Sequence, residues 1–317
     1  IFAQATLDAF VAQQERGGKG ARGRQKLVMG PWAHAVLQET VGDLTFPNAK
    51  RPPNHLDDPW RWFAATLRDE PNGMRELPAV TYYVVGDVTD PNAPGNAWRT
   101  AAQWPPFDVA PTRLHLHGDR SLRAARPGRS EPSRYRYDPS EPVPTLGGVQ
   151  LTLPAGPIDQ RILEDRPDVL VFTTEPLAEP VEVTGRVRAR LWVSSDAPDT
   201  DFMVKLCDVY PDGRSFNVCE GALRARFRRG LAREVPLRPG RAEWVEVDCW
   251  STSIVFNRGH RIRVQVTSSS NPGYDPNPNT GEPLRRHTHV RMATNAVHVD
   301  AAHPSHLLLP VVKGALP

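Results

Sequence analysis

The sequence predicts a chain in two parts, mixed α and β structure over residues 1–107 and an all-β sandwich over residues 108–317. Three observations lead there. Over the first hundred residues, apolar patterns of helical period stand beside short apolar runs of strand length. From about Thr112 onward the apolar residues recur at every second position, the signature of half-buried antiparallel strands. Turn clusters such as Pro211-Asp212-Gly213 and Pro239-Gly240 cut this second region into short strands, a pattern that suggests a sandwich or jelly roll.

The elements follow in order. Ala3, Leu7, Phe10 and Val11 fall on one face of an opening helix. A Gly/Arg/Lys-rich loop spans Arg16–Arg24, and Lys26–Gly30 reads as a short buried strand stopped by Gly30-Pro31. Residues 59–68 make the clearest helix: Asp58 is a natural N-cap, Pro59 occupies the first position, and Trp60, Phe63, Ala64 and Leu67 share a face. Asn72-Gly73 marks a turn, and Ala79–Val85 is a second strand. Pro105-Pro106 reads as the connection between the two parts. Beyond it, Val187, Ala189, Leu191 and Val193 alternate with Arg186, Arg188, Arg190 and Trp192. Leu223, Ala225 and Phe227 alternate with Arg224, Arg226 and Arg228; Val245, Val247 and Cys249 form a further set, as do Ile262, Val264 and Val266.

Composition excludes several classes of function. A net charge of +3 over 317 residues argues against a general nucleic-acid binder. The strict alternation of the arginines assigns them to solvated or cross-strand-paired faces. No stretch approaches the roughly 18 apolar residues of a membrane helix. Cys207, Cys219 and Cys249 are odd in number and lack metal-site spacing, which points to buried free thiols and a reducing, cytoplasmic compartment. His115 and His117 share a strand face, and His287 and His289 repeat the spacing. Nothing supplies the remaining ligands of a zinc site, so no metal is expected. Asp196, Asp199 and Asp201 lack the calcium-loop pattern and read as a turn or capping cluster.

His34 is the candidate catalytic residue. It lies just beyond the buried strand, where a rigid backbone positions a loop-borne imidazole able to exchange a proton near neutral pH. Gly30-Pro31-Trp32-Ala33-His34 resembles the Gly-Pro-Trp-x-His element that carries the triad histidine in the cocaine-esterase / X-Pro dipeptidyl-peptidase (CocE/NonD) family of serine hydrolases. The resemblance runs on in order through Tyr135–Pro139, Pro142–Gly148, Asp159–Arg161, Pro180–Gly185, Asp199–Phe202, Pro211–Arg214, Gly259–Ile262, Asn277–Gly281 and His303–His306. It implies that residues 1–107 are the C-terminal remnant of an α/β-hydrolase domain and that residues 108–317 are its jelly-roll β-sandwich.

The same resemblance implies a Ser-Asp-His mechanism for cleaving ester or amide bonds, with no cofactor. The family's Gly-x-Ser-Tyr-x-Gly nucleophile elbow is absent from the sequence. Its acid lies in a Gly-Trp-x-Asp element before a helix whose start resembles Ile1–Thr6, so this chain is expected to be a piece beginning just after that aspartate and to be inactive alone. Phe2, Ala35, Leu151 and Thr152 occupy the positions that approach the acyl group in the family; core packing is an equally good reading of Phe2 and Leu151. The expected partners are a small acyl ester, an amide or a short peptide as substrate, together with the missing N-terminal hydrolase segment; a homo-oligomer is compatible with this. An X-Pro dipeptidyl aminopeptidase is the alternative enzyme, and a lectin-like binding module is the non-catalytic rival. The turn-rich loop Asn271–Gly281 is expected to face residues 1–107 and shape access to the site.

Overall fold

The computed structural model describes residues 2–34, 37–283 and 285–317. The elements of the first hundred residues are α1 (Ala3–Arg16), β1 (Leu27–Met29), β2 (Thr40–Val41), β3 (Leu44–Thr45), α2 (Pro59–Leu67), β4 (Val80–Val84) and β5 (Ala97–Ala101). Then come β6 (Thr112–Leu116), β7 (Leu122–Arg123), β8 (Ser133–Tyr137), α3 (Arg161–Glu164), β9 (Leu170–Thr173), β10 (Val181–Ser195), β11 (Asp201–Val209) and β12 (Ser215–Arg224). The chain finishes with β13 (Glu243–Phe256), β14 (Arg261–Thr267), β15 (Ala293–His298), β16 (His306–Leu309) and β17 (Val311–Lys313). The protein is mostly β-sheet with few helices.

Strands β1, β4 and β5 form a three-stranded sheet. β1 and β4 run parallel, Leu27 opposite Val80 and Met29 opposite Tyr82. A parallel pair needs a long crossover, and the segment holding α2 supplies it. Helix α1 turns Leu7 and Phe10 onto Leu27, Val80 and Tyr82, as its apolar period predicts. Val255 of β13 completes the same cluster, so the small sheet and the sandwich share a core.

The sandwich pairs an eight-stranded sheet, centred on β10, with the four-stranded sheet β12-β11-β14-β9. Alternation decides which side chains meet. Val187, Ala189, Leu191 and Val193 point inward toward the cluster that also holds Phe202, Val204, Leu206, Val264 and Val266. Each such buried aliphatic side chain contributes about 1.5–3 kcal/mol over its exposed state. The outward arginines pair across the strands. Arg186 Nε lies 3.0 Å from Asp248, and Arg190 Nε lies 2.7 Å from Glu246, both on the neighbouring β13.

The alternation expected at Leu223–Arg228 fails. β12 ends at Arg224, and Ala225–Phe227 turn into a 3-10 helix. Arg226 is therefore rotated inward and is 2% exposed instead of solvated. Its Nε donates to Asp199 at 2.7 Å and a terminal nitrogen to the Glu282 carbonyl at 3.0 Å. Asp201 pairs with Arg224 at 2.9 Å, and the Asn277 amide bridges the two aspartates at 2.9 and 2.7 Å. Asp199 and Asp201 are thus buried ion-pair partners, beyond the turn role expected of them. The same contacts correct the reading of the Asn271–Gly281 loop. Among the described residues its hydrogen bonds all run to the sandwich, to Thr145, Tyr137, Arg224 and Arg291 among others, and none to residues 1–107.

Helix α2 begins as its sequence dictates. The Asp58 carboxylate accepts from the amides of Trp60 at 2.9 Å and Arg61 at 3.3 Å. Its apolar face is turned to solvent, however, with Trp60 80% and Leu67 77% exposed. The opposite side is the anchored one. Ala65 is buried, and Arg61 and Asn72 exchange side chain-to-carbonyl bonds of 3.0 and 2.8 Å. With so little burial to hold it, α2 depends on its cap: Asp58→Ala is expected to weaken the helix by about 1 kcal/mol. Hydrogen exchange of the 59–67 amides would show that loss as several-fold faster exchange, and unchanged exchange would refute it.

Candidate functional site

The loop that follows β1 is built around an aromatic brace. The Trp32 ring folds back over Gly30, where a Cβ would come within 2.5 Å of it, so only glycine fits there. Trp32 Nε1 donates to the Ala49 carbonyl at 2.8 Å, and its ring packs on Trp98 at 5.7 Å. Trp98 in turn meets Tyr83 of β4 edge-on at 5.4 Å, and the Tyr83 hydroxyl donates to the Pro47 carbonyl at 2.6 Å. Gly30, Pro31 and Trp32 thus form a rigid stalk, and Trp32 supports the loop. At its tip His34 is exposed, and among the described residues no hydrogen bond engages its imidazole. Ala35 lies outside the described residues.

Beneath the stalk is a cavity of about 270 Å³. Met29, Gly30 and Pro31 line it from β1, Ala3 and Leu7 from α1, and Tyr82 and Tyr83 from β4. The sandwich closes it with Tyr210, Phe216 and the stretch Ser251–Ile254. The lining is chiefly apolar and aromatic, with a few polar groups such as Asn217 and Glu220, the composition of a small-molecule site. Cys219 also reaches it, and burial pushes that thiol well above its ordinary range. The cavity can hold a small acyl or aromatic group, and no nucleophile of low pKa is offered by the cysteines.

The predicted pocket residues sit at its margin instead of inside it. Phe2 is 69% exposed, while the next residue, Ala3, lines the cavity. Leu151 is 57% exposed and Thr152 is exposed too. They occupy the tip of a loop pinched shut at its base, where Gly148 and Gly156 exchange backbone bonds of 2.8 and 2.9 Å. That base does line the cavity, through Gly148, Val149, Gly156 and Pro157. Gly156 has φ +91°, and a Cβ there would press on Val41 of the β2–β3 hairpin at 2.5 Å. Tyr82, Tyr83, Tyr210 and Phe216 were not singled out from sequence, although Tyr82 and Tyr83 stand in a strand that was.

A buried charged clamp ties the loop after β4 to the sandwich beside this cavity. His260 is 0% exposed. Its Nδ1 lies 2.9 Å from Asp208 of β11 and its Nε2 lies 3.2 Å from Asp87, which follows β4. Tyr210 packs on the imidazole at 4.4 Å between ring centres. Burial alone would lower the His260 pKa, but hydrogen bonds and charge from Asp208 and then Asp87 raise it. Burial raises Asp208 despite His260. Asp87 is lowered, because Thr89 and His260 outweigh its own burial.

A family described as X-Pro dipeptidyl-peptidase C-terminal non-catalytic domain matches residues 72–308. Cocaine esterase of Rhodococcus sp. (strain MB1 Bresler) is 38% identical over 98% of this chain and 54% of its own length. Among solved structures, an α-amino acid ester hydrolase superimposes with a TM-score of 0.81 at 28% identity, over 96% of this chain and 52% of its own. An aminopeptidase from a marine sediment Thaumarchaeota archaeon gives 0.79 at 29% identity, over 91% and 49%. The chain spans about half the length of the curated relatives it matches. His34 falls outside the span matched by the domain family but inside the stretch aligned with cocaine esterase.

Proposed function

Because the chain belongs to the family of X-Pro dipeptidyl-peptidase C-terminal domains, within the cocaine esterase (CocE/NonD) group of hydrolases, we propose that it is the part of a serine acyl-hydrolase that supplies the catalytic histidine, His34, and one wall of the acyl pocket. What supports this reading is that the loop after β1 bears the exposed His34, while Met29, Gly30 and Pro31 at the start of that loop line the cavity. In this reading residues 1–107 are the closing segment of an α/β-hydrolase domain and residues 108–317 its jelly roll. The serine and the aspartate stand in residues other than these 317. The exposed Phe2 and Leu151 then lie where that remaining part would meet the loop tip and complete the pocket.

The chemistry follows from the imidazole. His34 takes the proton of the serine hydroxyl as its oxygen attacks the acyl carbon, then returns it to the departing alcohol or amine. In the second half it takes a proton from the water that attacks the acyl carbon and gives it to the serine oxygen as the acyl-enzyme is cleaved. A cavity of about 270 Å³ suits a small acyl group, so small esters are the first substrate class, X-Pro dipeptides the second and α-amino acyl esters the third. No residue of the cavity requires an organic cofactor. The three unpaired thiols fit a reducing, cytoplasmic setting, and among the described residues no helix is long and apolar enough to cross a membrane.

The test is turnover of p-nitrophenyl acetate and butyrate by the 317-residue chain and by the longer protein. The chain alone should hydrolyse neither above its His34→Ala variant, while the longer protein should show a burst of one p-nitrophenolate per active site. His34-dependent turnover by the chain alone would refute the assignment of serine and aspartate to other residues. A glycan screen of residues 108–317 addresses the lectin-like rival, and specific saccharide binding there would favour it.

A further inference from the structure

β15 ends at His298 and β16 begins at His306, and the connection between them is tied down from within. Val299 and Pro304 bridge across it. The Ser305 hydroxyl donates to the His298 carbonyl at 2.6 Å and accepts from the Trp192 amide of β10 at 2.8 Å. Asp300 Oδ1 accepts from the amides of Ala302 at 2.7 Å and His303 at 3.0 Å, which leaves Oδ2 beside His303 Nδ1 at 3.3 Å. Trp192 packs edge-on against the His303 ring at 4.9 Å, and the rings of His298 and His303 are 5.4 Å apart. As a result one donor atom from each of His298, Asp300 and His303 lies within 4.8 Å of the other two.

We propose that His298, Asp300 and His303 form a binding site for a divalent ion of the zinc class, with water at its open position. Two imidazoles and one carboxylate are the donor types such an ion takes, and three protein ligands leave a fourth, tetrahedral position free. Ligand atoms around zinc stand about 3.3 Å from one another, given bonds of about 2.0–2.2 Å. The three side chains need close by no more than about 1.5 Å from their 4.8 Å envelope. The supporting bonds are of the kind that orient metal ligands. Ser194 Oγ lies 3.0 Å from His298 Nε2, which leaves Nδ1 for the ion. The bound ion would lock the β15–β16 turn against β10. The His-x-Asp-x-x-His spacing is not one that sequence reading flagged, since the hairpin bridge and the packing of Trp192 bring the donors together.

The experiment is titration of the chelator-stripped 317-residue chain with Zn2+ by calorimetry, and with Co2+ by visible absorption. One ion per chain should bind, with the cobalt bands of a low-coordinate site, and zinc should raise Tm. Asp300→Asn keeps an oxygen to accept the two turn amides but removes the charge, and should weaken binding at least tenfold; His303→Gln should do the same. His287→Ala/His289→Ala, which changes the exposed histidine pair elsewhere, should bind as the parent does. Failure of the parent chain to bind overturns the proposal. So does unchanged affinity in both site variants, or loss of binding in the His287/His289 variant.

Discussion

Replacing His34 with alanine in the longer protein is expected to lower kcat for ester hydrolysis by about 10⁴–10⁶-fold, with KM changed only a few-fold. The size follows from the role. A serine hydroxyl is a poor nucleophile until a neighbouring base removes its proton, and the same base must reprotonate the leaving group. The split between kcat and KM follows from the structure. His34 stands at the tip of a stalk, whereas the cavity that would hold the acyl group is walled by Met29, Tyr82, Tyr83 and the sandwich. Binding should therefore survive the loss of the imidazole. Stability should survive it too, because His34 is exposed and Trp32, Trp98 and Tyr83 hold the loop without it. Steady-state and pre-steady-state kinetics with p-nitrophenyl butyrate would show the burst vanish along with kcat. A loss smaller than tenfold would remove His34 from the chemistry.

Much of this architecture is legible from the residues because its causes are local. The inward Val187–Val193 and the outward Arg186–Arg190 of β10 obey a period of two, and the sheet pairs as that period says. The Asp58 cap works through bonds to residues two and three positions on. Where causes are non-local, the reading failed in specific ways. The exposed face of α2 is as amphipathic as a buried one, since a helix pattern records what could be covered and says nothing of what covers it. Arg226 sits inward because β12 ends early, and the aspartate that draws it in is Asp199. β5 was missed because Ala97–Ala101 carries no alternation, as suits an edge strand half-exposed along its length. The site divides in the same manner. The Gly-Pro-Trp-x-His element is contiguous and could be found. The cavity is assembled from stretches of chain as far apart as Ala3 and Ile254, so no local pattern in the sequence announces it. The clamp at His260 is the clearest case, for its three ionisable members come from three different elements.

His260→Ala is expected to destabilise the chain by about 3–5 kcal/mol at neutral pH, the usual cost of removing one partner from a buried charged set. The alanine would leave Asp87 and Asp208 facing each other across a cavity with no cation, and one of them would have to hold a proton or draw in water. Asp208→Asn should therefore restore part of the loss when added to His260→Ala, since an amide carries no charge to bury. The wild-type chain should show the complementary pH dependence. His260 is raised above its unfolded value near 6.5, so its contribution is full below that pH and fades as pH climbs through the folded value. Asp208, also raised, works in the same direction, because ionising it inside the fold costs more than ionising it outside. Asp87 is lowered and opposes them only in acid, its contribution being lost as pH falls below about 4. Tyr210 covers the ring and Arg214 lies over Tyr210, 5.4 Å from its ring centre, so the clamp is shielded from solvent on that side. Urea unfolding at pH 6 and pH 9 should show the wild type losing more stability over that interval than the Asp87→Asn/Asp208→Asn/His260→Gln variant, in which nothing in the clamp titrates. The clamp also joins β4, which lines the cavity through Tyr82 and Tyr83, to the sandwich that closes it. If its removal cost less than about 1 kcal/mol, β4 would have to be held to the sandwich by its other contacts, the Val255 cluster, the Val85–Ile254 bridge and the Tyr83–Tyr210–Phe216 cluster among them.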